Sequence, residues 1–256
     1  MVVGIEKFRE YFKEYSGSYV VIGGTACDII IDAAQLTPRA TRDIDIILVI
    51  EALSREFVQQ FWKFIHDGDY ATKEINETDR NYYRFTKPRT EGFPHQIELF
   101  SRKPDVLDVE EGAKLTPVPV EDDLSSLSAI LLNDEYYNYT LEHSTLDEEV
   151  QRANTEALIC LKAKAFLDMS ERKTKGEKID DKHIKKHKND VFRLALLLGG
   201  DSLFDLPDTL KSDMLLFADA VKDSLPEKAL FKEMGVPNTD MEKLFSQLLQ
   251  NFNLDK

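Results

Sequence analysis

Residues 43 to 50 read Asp-Ile-Asp-Ile-Ile-Leu-Val-Ile, an apolar, largely β-branched run interrupted only by its two acids. Such a run fits a central strand, where β-branched side chains pack well on a pleated, buried surface. Side chains alternate along a strand, so Asp43 and Asp45 leave from one face while Ile44 and Ile46 enter the other. The two carboxylates then stand about 7 Å apart along the backbone and can converge on a hard cation that prefers oxygen ligands. Burying both without a partner would be very costly. Either they face solvent at an edge, which is the plainer reading of an isolated Asp-x-Asp, or a metal or an arginine neutralises them.

Some twenty residues upstream lies Val20-Val21-Ile22-Gly23-Gly24-Thr25. A short strand there feeds a helix through two glycines, with Thr25 as its expected cap and Pro38 as its stop. Unpaired N–H groups and the positive end of a helix dipole suit a phosphate. Neither GxxxxGK[ST] nor GxGxxG occurs at this place.

Around these two motifs the first half reads as α/β. Apolar residues from Ile5 to Tyr15 follow a helical period, Ser54 caps a helix through Ile65, and β-like runs follow at Tyr70 to Ile75, Tyr82 to Thr86 and His95 to Phe100. Pro104 to Asp123 reads as a connection over the surface. After a brief apolar stretch, Leu127 to Leu132, helices are expected at Asp134 to Leu141, Thr155 to Ser170, Asp181 to Leu198, Pro207 to Leu225 and Met241 to Phe252. The expected architecture is an α/β (α+β) domain over residues 1–120, with a mixed sheet flanked by helices, and a mainly helical domain over 121–256.

The order strand, Gly-Gly-Thr, helix, then Arg42-Asp43-Ile44-Asp45-Ile46 resembles the DNA polymerase β-like nucleotidyltransferase superfamily. That resemblance implies that Gly23, Gly24 and Thr25 hold the triphosphate, and that Asp43, Asp45 and a third carboxylate bind two magnesium ions. In Gln96-Ile97-Glu98-Leu99-Phe100 the third is Glu98, where many members carry aspartate. A surface glutamate on an edge strand is the plainer reading of Glu98.

In the helical half, Ile159, Lys162, Phe166 and Met169 share one face, which sets a lysine on an apolar stripe. Its ammonium either snorkels to water or is held toward a cleft. Lys186, Asp190 and Arg193 share a face of the next helix, ordinarily a surface ion-pair ladder. His183 and His187 stand at a spacing that can hold zinc, yet neither a third ligand nor an intervening Glu accompanies them, and exposed histidines are the expectation. The segments Leu158 to Ala165 and Lys188-Asn189-Asp190-Val191-Phe192-Arg193-Leu194 resemble the lysine and Lys-x-Asp motifs of AbiEii/AbiGii-type nucleotidyltransferases, the toxin half of many toxin-antitoxin pairs. The resemblance spans about residues 18 to 198. It implies that Lys162 contacts the triphosphate and that Asp190 acts as base or nucleotide-positioning group. Arg42 would help Lys162 offset developing charge. The implied acceptor is a tRNA end, or a small hydroxyl compound as in antibiotic-modifying members, and a cognate antitoxin is an implied partner.

Charge bears on that choice. The chain carries a net charge of −14, which opposes indiscriminate binding to a polyanion. Between Lys162 and Arg193, however, 11 Lys or Arg stand against 6 Asp or Glu, a local excess of +5. Such an island is usually a solvated helix face; it can also steer a triphosphate or an RNA backbone. The charged first dozen residues and the lack of a long apolar run lead us to expect a cytoplasmic protein without membrane contact. Cys27 and Cys160 fit no metal or redox spacing and read as buried, reduced thiols. A catalytically silent member serving as a nucleotide- or protein-binding module is the rival from another class. A phosphohydrolase using Asp-x-Asp would leave Gly23, Gly24 and Lys162 without a role.

Overall fold

A computed structural model of the chain describes residues 3–75, 82–102, 116–117, 130–131 and 133–255. Contacts gather the chain into two units, one of Met1–Ile29, Arg39–Val120 and Ser144–Ala153, the other of Ile30–Pro38, Glu121–His143 and Asn154–Lys256.

The strands of the first unit are β1 (Tyr19–Ile22), β2 (Asp43–Leu48), β3 (Tyr70–Ile75), β4 (Tyr82–Pro88), β5 (Gln96–Phe100), β6 (Thr116–Pro117), β7 (Ser144–Asp147) and β8 (Val150–Ala153). They join one mixed sheet in the order β6-β3-β4-β5-β2-β1-β8-β7. The protein is therefore of the α/β kind, with a mixed sheet. β2 is interior as its composition requires, antiparallel to β1 and parallel to β5.

Helices α1 (Ile5–Phe12) and α3 (Arg55–Asp67) contribute an aromatic layer to this unit. Phe8, Phe12 and Phe64 meet within one cluster, and Phe61 packs against Phe85 of β4 with centroids 5.4 Å apart. Phe85 pairs with Ile97, and Ile97 with Ile44, so this row lies on the face that the aromatic layer covers. Ser54 caps α3 as expected, accepting from the Phe57 N–H. The first helix is shorter than the expected Ile5 to Tyr15, because a 3₁₀ segment, Lys13–Ser18, takes over after Phe12.

Two further features depart from expectation. Helix α2 (Gly23–Ala33) begins at the first glycine, so Thr25 lies inside its first turn and does not cap it. Residues 144 to 153 form the hairpin β7–β8, whose second strand runs parallel to β1. The expected connection from Pro104 to Asp123 lies outside the described residues apart from β6, as does most of Leu127 to Leu132.

The second unit is helical: α4 (Asp134–Glu142), α5 (Thr155–Thr174), α6 (Asp181–Ala195), α7 (Asp208–Val221), α8 (Ala229–Glu233) and α9 (Met241–Asn251). Leu158, Ile159, Val191, Phe192, Met214 and Phe217 are fully buried and form its core. Both cysteines are buried, and neither is in a disulfide. Among the described residues no helix is long and apolar enough to cross a membrane.

Candidate functional site

Ile22, the last residue of β1, pairs with Asp45 of β2, so the chain turns from strand to helix beside that acid. Gly23 makes the turn at φ +68°, a backbone region that L side chains rarely adopt. A Cβ there would stand only 1.7 Å from Asp45 Oδ2. The acid thus lies against the start of α2, where the first N–H groups have no partner within the helix.

Gly24 is constrained from the other side. A Cβ on it would meet Thr41 Oγ1 at 2.8 Å and an Arg39 guanidinium nitrogen at 3.2 Å. The loop carrying those residues is tied down by Asp28 of α2, a buried carboxylate that accepts from the N–H of Arg39 at 3.3 Å and of Thr41 at 2.6 Å. Thr41 Oγ1 is itself buried and makes no hydrogen bond among the described residues.

Across the sheet a polar row opposes the aromatic one. Asp45 pairs with Glu98 of β5, and Glu98 with Arg84 of β4. In-register side chains of neighbouring strands share a face, so Asp45, Glu98 and Arg84 follow one another on the same side. Glu98 is buried, only 4% exposed, and Arg84 is 7% exposed. Arg84 Nε donates to Glu98 Oε1 at 3.1 Å, and Gln96 Nε2 donates to the same oxygen at 2.6 Å. The plainer expectation of a surface glutamate is therefore wrong. Glu98 is inside, and an arginine neutralises it. Asp43 and Asp45 remain half-buried, with His95 Nδ1 3.9 Å from Asp43 Oδ1.

The other first-half residues singled out in the sequence are less directly placed. Thr25 is fully buried and its hydroxyl donates to the Asp43 carbonyl at 2.5 Å, which ties α2 to β2 and commits its one proton to the backbone. Arg42 is exposed, and its carbonyl accepts from the His95 N–H.

Among the described residues no three His, Cys, Asp or Glu side chains are grouped to hold a metal ion. A magnesium ion that travels with a triphosphate needs only one or two protein carboxylates, since phosphate oxygens and water complete its shell. The half-buried pair Asp43 and Asp45 fits that requirement. A second ion on Glu98 does not fit, because the carboxylate it needs is already held by Arg84 and Gln96.

In the second unit, Lys162 and Asp190 lie together. Lys162 Nζ is 3.3 Å from Asp190 Oδ2, and Arg193 is 3.3 Å from Asp190 Oδ1. Lys162 is 6% exposed and Asp190 3%. Lys162 does not snorkel to water, and Asp190 belongs to no surface ladder. The aliphatic stem of the lysine continues the apolar stripe while its head finds a carboxylate from α6. His187 is buried as well, against the expectation of two exposed histidines, whereas His183 is exposed.

Arg84, Asp28, Arg39 and Thr41 were not singled out by sequence. A charged residue inside the apolar run Tyr82 to Thr86, and another inside Cys27-Asp28-Ile29-Ile30-Ile31, were the available signals, since buried charges occur where they are paired. No family model matches the chain, and no match was found among curated proteins.

Proposed function

We propose that the chain is a magnesium-dependent nucleotidyltransferase of the polymerase β-like kind, similar to the AbiEii/AbiGii toxins. It would move a nucleoside monophosphate from a nucleoside triphosphate to an acceptor hydroxyl and release pyrophosphate. The observation that carries the reading is the Asp45 carboxylate set against Gly23 at the start of α2. An acid that can hold a cation and N–H groups that can hold a phosphate meet there, as a metal-borne triphosphate requires.

In this reading Asp43 and Asp45 bind one divalent ion, which would neutralise triphosphate charge and polarise the reacting phosphorus. The N–H groups at Gly23 and Gly24 receive phosphate oxygens. Thr41, whose hydroxyl makes no hydrogen bond among the described residues, and Arg39, both held over Gly24 by Asp28, add a donor and a cation that the sequence reading did not assign. Thr25 acts through its buried bond to Asp43, fixing the strand and not the phosphate. Glu98, with Arg84, positions Asp45 from the next strand. Asp190, already engaged by two cations, suits orienting Lys162 better than taking a proton. In transfer, the acceptor oxygen bonds to the α-phosphorus as the bond to the β-phosphate oxygen breaks, and the hydroxyl proton leaves to solvent or a base.

The basic stretch from Lys162 to Arg193 favours an RNA end as acceptor over a small hydroxyl compound, and an antitoxin would be the protein partner. The arginine-locked Glu98 favours a second reading, a member that binds nucleotide without transferring it. One experiment separates them. The purified chain is incubated with each α-labelled triphosphate, magnesium and total RNA, beside Asp43→Asn and Asp45→Asn variants shown to be folded by circular dichroism. Label that appears with the wild type and is lost in both variants supports transfer. Equal labelling by Asp45→Asn sinks the proposal. A magnesium-dependent thermal shift with triphosphate but no label selects the binding module.

A further inference from the structure

Helix α6 has a second face, turned away from the one that bears Asp190 and Arg193. Lys185, Lys188 and Asn189 follow three-and-four spacing along it. Together with Phe166 of α5 and the segment through Leu225 and Pro226, they line a cavity of about 400 Å³. Small-molecule sites commonly enclose about 300–1,000 Å³.

The cavity wall divides by chemistry. Phe166, Leu225 and Pro226 offer an apolar surface, and the Phe166 ring is steadied by an edge contact with Phe217, centroids 5.3 Å apart. Lys188 is half-buried and donates to the Ser224 carbonyl at 2.6 Å, yet among the described residues it pairs with no carboxylate. Burial, and then the neighbouring Lys185 cation, hold its pKa below the usual lysine range. Lys185 meets the exposed Glu227, which also lines the cavity, at 3.5 Å. Asn189 Oδ1 is buried and accepts no hydrogen bond among the described residues. Two carboxylates, Asp181 and the exposed Glu227, also line the cavity, but among the described residues neither pairs with Lys188 and no N–H donor meets the Asn189 oxygen, beside an apolar shelf.

We propose that this cavity binds a nucleoside monophosphate. The phosphate pairs with Lys188 and takes the place of the exposed Glu227 carboxylate beside Lys185, the base rests on Phe166 and Pro226, and a base N–H satisfies Asn189 once its amide turns into the cavity. An aromatic carboxylate would supply the ring and the charge but leave Asn189 without its donor. The site uses neither Asp43, Asp45 nor Lys162 and needs no metal, so it stands apart from the transfer reading.

The test is calorimetric titration of the whole chain with each 5′-ribonucleoside monophosphate in the presence of EDTA, where no metal-dependent transfer can occur. Saturable binding of at least one nucleotide is expected, unchanged in Asp45→Asn and in the exposed-surface control Lys211→Met. Lys188→Met, which keeps the stem and removes the charge, should weaken binding about tenfold, and Lys185→Met should weaken it less, as befits a more exposed cation. Loss of binding in the unphosphorylated nucleoside supports the phosphate assignment. No binding by any of the four nucleotides, unchanged affinity in both lysine variants, or benzoate binding as tightly as the best nucleotide would each overturn the proposal.

Discussion

The Asp45 carboxylate fills the space that a side chain at residue 23 would need, and Gly23 sits at φ +68° beneath it. Gly23→Ala therefore meets two obstacles at once. The left-handed backbone alone costs roughly 1–3 kcal/mol for a residue with a Cβ, and the collision with Asp45 adds to it. Urea unfolding should show a loss beyond that range. The double variant Gly23→Ala/Asp45→Ala should regain the collision term and keep the backbone term. A double variant whose loss equals the sum of the two single losses would show that the carboxylate is not what excludes a side chain at residue 23.

Arg84 and Glu98 form a buried pair in the polar row, and each is the other's charge partner. Removing one side of such a pair leaves an uncompensated charge inside and costs about 3–5 kcal/mol, whereas replacing both with apolar groups of similar volume is often neutral. Arg84→Met should accordingly destabilise by about that amount, and Arg84→Met/Glu98→Leu should recover most of it. Denaturation midpoints across this double-mutant cycle measure the coupling. A near-zero coupling would mean that the pair does not organise the row beside Asp45.

Much of this arrangement could be read from residue order, and the omissions have physical causes. The Ile-rich run at Asp43 announced an interior strand because alternation and β-branching act locally, and Ser54 announced α3 because a cap is a local bond. The hairpin β7–β8 gave no such sign. Its turn places Glu148 and Glu149 at φ 44° and 66°, positions where Asn or Gly is the usual signal. Arg84 escaped notice because its partner is a strand away, fixed by register and not by spacing. Lys162 was visible as an anomaly on an apolar stripe, but whether its charge reached water or a carboxylate depended on how α5 met α6. Thr25 misled for a related reason, since Gly23 starts the helix two residues before the residue best suited to cap it.

Lys162 and Asp190 give a third test, and one that separates stability from any role in activity. Asp190→Asn leaves the buried ammonium facing a neutral amide, and removing one side of a buried pair is expected to cost about 3–5 kcal/mol. Lys162→Met should cost less, because Arg193 still faces Asp190 and the methionine keeps the apolar stem in place. Thermal and urea unfolding of the two variants check the order. If Lys162→Met proves the more damaging, Arg193 does not compensate Asp190, and the lysine alone carries that acid.

A fourth test follows from Asp168, which lies 3.3 Å from Lys164 on α5. Burial raises its pKa above the usual carboxylate range although Lys164 pulls the other way. The folded chain thus holds this proton more tightly than the unfolded chain does, and between the two pKa values stability falls as pH rises. Lys164 is shifted upward as well: burial lowers its pKa, but the Asp168 and Asp213 carboxylates outweigh that effect. Its contribution is therefore complete below the ordinary lysine pKa and is lost only as pH climbs through the raised value. Of the two shifts, only that of Asp168 costs stability as pH rises above the ordinary carboxylate range. Asp168→Asn, which resembles the protonated acid, should leave the protein as stable as wild type or more so at pH about 7, and that advantage should vanish as pH falls to about 4. Urea midpoints for both proteins across this range provide the measurement. A variant less stable than wild type at neutral pH would mean that attraction to Lys164 outweighs the burial of Asp168.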